Sequence, residues 1–339
     1  VVTAPEPNFA HLLALSGPQG TYEHAEHALA RVEHGYCTDD VARVLLVAVR
    51  EPVPSSRLLE LAQTSMRFLE IAQSRNGRFR NRRLASGSFR GPSTNEDCWG
   101  RAMWALGTTI ARRSESSLGD FAERLFARGV GVRSPWSRSS AFAALGAVEA
   151  LSADSGNVGA RHLVDDAARS FDRNRRDGTW LWPEPRLTYS NAVLPESMIA
   201  VGHLTGDREL VDIGIERLRW LLDLESLQGH LSVAPAGGWG PGEATRRFDQ
   251  QPIEVAAMAD ACTRAFDVTG ERGWLDGRDM AVNWFLGSND VGALMYDPTT
   301  GGGYDGLTAT GPNLNQGAES TIAYLTTMQH ARRLAPAIR

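Results

Sequence analysis

The sequence contains no lysine, so all 35 of its basic side chains are arginines. That absence removes Schiff-base catalysis by a lysine and the lysine of a nucleotide-binding phosphate loop. Cysteine is scarce as well. Cys37, Cys98 and Cys262 form no C-x-x-C pair, and an odd number makes a poor disulfide framework. No stretch approaches the roughly 18 apolar residues of a membrane span. The start, VVTAPEPNF, shows neither a basic n-region nor an apolar h-region, so no signal peptide is read there and the cytoplasm is the expected compartment. The arginines are scattered rather than clustered, which leaves no electrostatic footprint for nucleic acid.

What is present describes a soluble globular protein: 339 residues, 42% apolar, 22% charged, with a formal net charge of -5. A repeat is visible in the spacing. Six apolar segments rich in small residues each follow a polar or aromatic lead-in: YCTDDVARVLLVAV, TNEDCWGRAMWALGTTIA, SPWSRSSAFAALGAVEAL, NAVLPESMIAVGHL, DQQPIEVAAMADACTRAF and NLNQGAESTIAYLTTMQHA. With Asp40, Asp97, Arg138, Glu196, Glu254 and Glu319 as markers, the steps are 57, 41, 58, 58 and 65 residues. Between them lie ordinary amphipathic patterns such as SRLLELAQTSMRFLEIAQ and RELVDIGIERLRWLLDL. Glycine- and aromatic-rich connections (NGRFRN, DGTWLWPEP, QGHLSVAPAGGWG, GALMYDPTTGGGYDG) read as short strands or extended loops.

A helix that is apolar nearly all round is surrounded by protein. Six helical hairpins whose inner members are all buried predict an all-α (α/α)6 toroid, one domain over residues 1–339, with short strands in the loops of the active face. An open solenoid needs polar caps at its ends, and neither terminus offers one.

In a closed ring the lead-ins meet at a common funnel. They carry Asp39 and Asp40, Glu96 and Asp97, Trp136 and Arg138, Glu196, Asp249, Gln250, Gln251 and Glu254, then Gln316 and Glu319. The loops add Trp182, Trp239, Tyr304 and Asp305. His34 and Tyr36 (in EHGYC) and Trp99 and Arg101 (in DCWGR) belong to the same surroundings. Carboxylates and amides read hydroxyl groups, and aromatic faces pack on the C–H side of sugar rings, so the set suits a carbohydrate.

Helix capping competes with this reading at each position. Thr38 suits an N-cap, and Gln251-Pro252-Ile253-Glu254 places proline at N1 and glutamate at N3. Acids in a first turn gain only about 0.3–1 kcal/mol from the helix dipole. Two lead-ins, however, carry adjacent acids, which repel each other. In a closed site such repulsion raises one pKa, as a general acid near neutrality requires. Glycoside hydrolysis needs one protonated and one ionised carboxyl group. Ring order sets the second inner helix opposite the fifth, which makes Glu96/Asp97 with Asp249/Glu254 the preferred acid/base pair and Asp39/Asp40 the competing choice. A wide separation favours inversion.

Other residues are weaker candidates. His34, His203 and His230 suit acid–base work, and a histidine pair suits a sugar epimerase, but His203 falls near the far end of its helix. Cys37 and Cys98 read as buried structural thiols rather than zinc ligands, since zinc needs two more partners. The TTGGGYDG segment has no following helix and reads as a turn or lid. No metal and no cofactor is expected.

At HGYCTDDVAR, NEDCWGRAMWALG and NQGAESTIAYL the sequence resembles a bacterial family of glycosidase-like (α/α)6 proteins. Its members occur alone or fused behind glycosyltransferase domains, often near genes for β-mannoside phosphorylases. The likeness runs from about Glu33 to the C-terminus. It implies carbohydrate-active function, with Asp39, Asp40, Glu96, Asp97 and Glu319 in the shared motifs, and a functional link to a glycosyltransferase or glycoside phosphorylase. The combined expectation is an inverting, metal-independent glycoside hydrolase acting on an oligosaccharide or small glycoside, a mannoside or glucoside among them. The alternatives are a phosphorylase, lyase or epimerase on the same ring, or a non-catalytic glycan-binding ring.

Overall fold

The computed structural model describes residues 4–174, 179–243 and 247–332. Asp177 and Gly178, which open the DGTWLWPEP connection, lie outside them. Twelve helices occur among the described residues: α1 (Ala10–Ala14), α2 (Thr38–Arg50), α3 (Ser56–Ala72), α4 (Asp97–Arg112), α5 (Ser117–Gly129), α6 (Ser137–Ala153), α7 (Val158–Ser170), α8 (Val193–Thr205), α9 (Arg208–Leu224), α10 (Pro252–Thr269), α11 (Gly273–Phe285) and α12 (Ala318–Ala331). None of them is long and apolar enough to cross a membrane.

The chain divides into two compact units. The N-terminal unit comprises Leu12–Phe171 and Ala200–Asp207; the C-terminal unit comprises Val1–His11, Asp172–Ile199 and Arg208–Arg339. In the N-terminal unit α2, α4 and α6 pack in series, and α3, α5 and α7 each lie on the preceding member of that series. α2 is buried at eleven of its residues, from Thr38 to Val49 with only Asp39 left out, because valine, leucine and alanine occupy every face. Its neighbour α3 buries one stripe that includes Leu58, Leu61, Met66 and Leu69. The even-numbered helices are therefore the inner set, as an all-round apolar pattern demands.

Glycine sets the distance between α4 and α6. A Cβ on Gly107 would lie 1.9 Å from the Gly146 carbonyl oxygen, and one on Gly100 would lie 2.3 Å from that of Ser139. In the C-terminal unit α10 packs on α9, α11 and α12. α10 begins with Pro252 at N1 and ends on Gly270, whose φ of 71° allows the left-handed cap that a side chain resists.

The decorated connections form short antiparallel pairs. Tyr36–Cys37 pairs with Arg82–Arg83, which pairs in turn with Phe89–Arg90. Ser226–Leu227 pairs with His230–Leu231, and Gly306–Thr308 with Gly311–Asn313. The TTGGGYDG segment leads into the last hairpin, the turn its glycines predict.

Candidate functional site

Side-chain N-caps occur on three of the amphipathic helices, although α11 has none. Ser55, Ser116 and Asn157 each accept a backbone N–H at the start of α3, α5 and α7. The N-cap residues of α2, α4, α6, α10 and α12 (Cys37, Glu96, Trp136, Gln251 and Gly317) make no such bond. The N-cap of α2 thus falls on Cys37 rather than Thr38, whose hydroxyl donates instead to the Arg80 carbonyl at 2.6 Å. Thr94 likewise turns to the Cys98 thiol, 3.4 Å away, and does not cap α4.

In the N-terminal unit the adjacent acids of α2 have different fates. Asp40 is buried and takes the guanidinium of buried Arg43 one turn further on. Asp39 is half-buried; its Oδ2 accepts the Cys37 S–H at 3.2 Å, and its Oδ1, cut off from solvent, has no hydrogen-bond partner among the described residues. Burial pushes the Cys37 thiol well above its usual pKa, and the charges of Asp39, Asp40 and Glu23 push it further. Burial and then the Asp39 charge raise the Cys98 thiol to about 12. Both sulfurs are therefore protonated, and Asp39 stands within electrostatic reach of each.

Ligand atoms of Glu23, Cys37 and Asp40 lie within 4.8 Å of one another. Arg82 already pairs with Glu23, Arg43 with Asp40, and the thiol holds its proton. This donor set reads as an ion-paired cluster rather than a ready cation site.

The other residues of this unit fall into two groups. Glu96 is exposed and Asp97 half-buried at the start of α4, and Trp136 is 58% exposed at the start of α6. His34 closes a 3-10 turn, edge-on to His24 with ring centroids 5.1 Å apart. The remainder are buried: Tyr36 stacks on Tyr22, Trp99 donates its indole N–H to the Gly129 carbonyl at 3.2 Å, Arg101 lies 4.0 Å over the Phe142 ring, and Arg138 sits in the first turn of α6. His203 occupies the last turn of α8.

In the C-terminal unit the start of α10 is densely hydrogen-bonded. Glu254, buried, is turned toward a distant segment. Its carboxylate accepts the Ser190 N–H, the Asn191 N–H at 3.0 Å and the Asn191 side-chain amide at 2.9 Å. Gln250 is equally committed, with its Oε1 accepting the Trp284 indole N–H at 2.9 Å and its Nε2 donating to the Arg247 carbonyl and to Asp290. His230 Nε2 stands 3.5 Å from Asp290 Oδ1. Gln251 is half-buried and Asp249 exposed.

Glu196 is buried in the first turn of α8, 3.9 Å from Arg264, and Glu319 is half-buried in the first turn of α12. Asp305 accepts the Gly317 N–H at 2.7 Å just before α12. Gln316 accepts the Thr300 hydroxyl at 2.7 Å and donates to Asp297. Tyr304 is half-buried, and burial raises its hydroxyl pKa. Trp239 donates to the Glu243 carbonyl at 3.3 Å, while Trp182 is fully buried and stacked on Trp220.

Two acids of this unit escape a reading by sequence. Glu225, in DLESLQ, follows an amphipathic helix and looks like a surface residue, yet it is 2% exposed. Burial, then the Glu254 charge, raises its carboxyl pKa to about 8. Asp290, in a short connection after α11, gives no signal until Gln250, Arg247 and His230 are seen around it.

No protein-family model matches this chain, and no curated protein matches it. Solved structures do. A sugar epimerase from a ruminal bacterium is similar over 96% of this chain and 95% of its own, with a TM-score of 0.72 at 12% identity. The cellobiose 2-epimerase of Bacillus thermoamylovorans B4167 is similar over 95% of each chain, with a TM-score of 0.69 at 13% identity. A metagenome-derived glycoside hydrolase family 9 endoglucanase is similar over 92% of this chain and 70% of its own, with a TM-score of 0.61 at 11% identity. At such identities the likeness shows the fold: this chain has the predominantly helical (α/α)6 architecture found among sugar-processing enzymes.

Proposed function

We propose that this protein is a carbohydrate-active enzyme that cleaves a glycosidic bond by hydrolysis, with carboxyl groups as its acid and base. One observation carries the proposal. Acids occupy the first turn of five of the six inner helices, namely α2, α4, α8, α10 and α12, and no first turn holds a histidine. At α2, α4, α10 and α12 the N-cap side chain makes no cap, unlike at α3, α5 and α7, so an N-cap hydrogen bond does not account for the acids there. The named fold relatives act on sugars, which favours a carbohydrate as the molecule the acids address.

Within the N-terminal unit Asp39 and Asp97 are the best pair. They stand in the first turns of α2 and α4, which pack together. Asp39 is the acid of its pair that Arg43 does not neutralise, which suits it to accept a proton, and Asp97 is then the donor. Trp136, exposed at the neighbouring helix start, offers a face for a sugar ring. A β-linked disaccharide or short oligosaccharide of glucose or mannose is the substrate class.

The test is sugar release from a panel of β-glucosides and β-mannosides. Removing a general acid or base costs about 10²–10⁴-fold. Asp39→Asn and Asp97→Asn should each lose at least 100-fold in kcat/KM, and turnover unchanged in both would defeat this assignment. The anomer first seen by NMR checks the expectation of inversion.

A second reading, epimerisation, has an observation of its own: His230 beside Asp290 is a base with an orienting carboxylate, and two of the named fold relatives are epimerases.

A further inference from the structure

In the C-terminal unit, α9 ends and α10 begins on a buried pair of carboxyl groups, Glu225 and Glu254. Each is at most 4% exposed. Their hydrogen bonds differ in kind. Glu254 accepts three N–H donors from Ser190 and Asn191, an arrangement that favours the ionised form. Glu225 accepts a single bond, from the Ala234 N–H at 2.9 Å, on one oxygen only. The Glu254 charge acts on Glu225, and two carboxylates that interact in a buried setting cannot both carry charge cheaply. The group with three donors keeps the charge, and the group with one keeps the proton.

We infer that Glu225 is a positioning residue for the α10 N-terminus: held as a neutral carboxylic acid, it leaves Glu254 as the only charge of the pair, free to clamp Ser190 and Asn191 at the entrance to α8. That entrance also places Glu196 in the first turn of α8. The inference does not depend on which reaction the enzyme performs.

The surroundings support this reading. Glu225 lines a small cavity of about 50 Å³ with Ser232, Trp239 and Arg247, which has room for water. The charged groups facing it are Glu254 from α10 and Arg247 from the segment before α10. Arg247 stands 3.5 Å from Asp290, which also faces His230 from the Ser226–Leu231 hairpin. No basic side chain is hydrogen-bonded to Glu225 among the described residues; the Ala234 N–H favours its ionised form, but burial and the Glu254 charge outweigh that. Accordingly its pKa is raised from 4.5 to about 8, with burial the larger cause and the Glu254 charge the second.

Infrared difference spectroscopy across a pH titration tests this directly. Wild-type protein at neutral pH should show the carbonyl band of a protonated carboxyl group, lost with a midpoint near pH 8. Glu225→Gln, a neutral isostere, should fold, lack that band and unfold with a weaker dependence on pH than wild type between pH 5 and 8. Glu225→Ala should show the same weakened pH dependence and, having lost the hydrogen bond to the Ala234 N–H, should in addition be destabilised. Absence of the wild-type band at neutral pH, a midpoint in the ordinary carboxylate range, or a pH dependence unchanged in Glu225→Gln would each overturn the inference. Absence of the wild-type band, or a midpoint in the ordinary carboxylate range, overturns the inference even if a variant fails to fold. Sugar turnover is not a readout here, so failure of the hydrolase proposal leaves this test intact.

Discussion

Asp39 and Asp40 are neighbours in sequence with different surroundings, and the difference lies in a third residue. Arg43, one helical turn on, reaches Asp40 and removes the repulsion that two adjacent acids otherwise suffer. Breaking such a buried pair by deleting one partner typically costs about 3–5 kcal/mol, because the other charge is stranded. Asp40→Asn should therefore lose stability on that scale in chemical denaturation, whereas Asp39→Asn should lose activity with far less effect on folding. Equal destabilisation by the two would mean that Asp39 is as structural as its neighbour. Glu225 carries a pH consequence of its own. Its folded pKa is raised, so the native state holds a proton that the unfolded state releases above about pH 4.5. Its contribution is full below that pH and is lost as pH climbs toward 8, at about 1.4 kcal/mol per pH unit. Denaturation midpoints in that window should fall with rising pH, and fall less in Glu225→Gln.

Helix contacts in this protein are set as much by what is missing as by what packs. α4 and α6 approach until backbone meets backbone at Gly107 and Gly146, which no larger residue permits. Overpacking generally costs about 1–3 kcal/mol. Gly107→Ala should reach or exceed the top of that range, because the new atom meets a carbonyl rather than a movable side chain. Gly131, with open space around it, supplies the control, and Gly131→Ala should stay within about 0.5 kcal/mol of wild type. The small residues of WALGTTIA and FAALGAVEAL made the inner helices readable in the sequence, but which glycine faces which required the packed pair. The helix starts show a similar division. Proline at N1 and glutamate at N3 of α10 were legible as local pattern, while the turn of Glu254 toward Ser190 was not. Its partners lie more than sixty residues earlier in the chain.

At the scale of the whole molecule, fold and chemistry separate. The (α/α)6 architecture serves sugar epimerases and a glycoside hydrolase among the named relatives, so function has to be argued from side chains. Incubating the protein with cellobiose in D2O divides the two readings. Hydrolysis should yield monosaccharides without deuterium at carbon, and epimerisation should yield an intact disaccharide labelled at the sugar carbon that is inverted. Detection of the second product alone would displace the hydrolase proposal in favour of His230 and its partner.

The sequence by itself determined the alternation of all-round apolar and amphipathic helices, their near-regular spacing and the placing of acids at the inner starts. These are local properties, set by side-chain period and by residues within one turn of each other. Only the tertiary structure decided what each acid became: Asp40 neutralised, Asp39 left beside two thiols, Glu254 clamped and Glu225 holding its proton. The reason is physical. A carboxyl group's charge depends on burial and on donors brought from distant segments, and neither is written in the residues beside it.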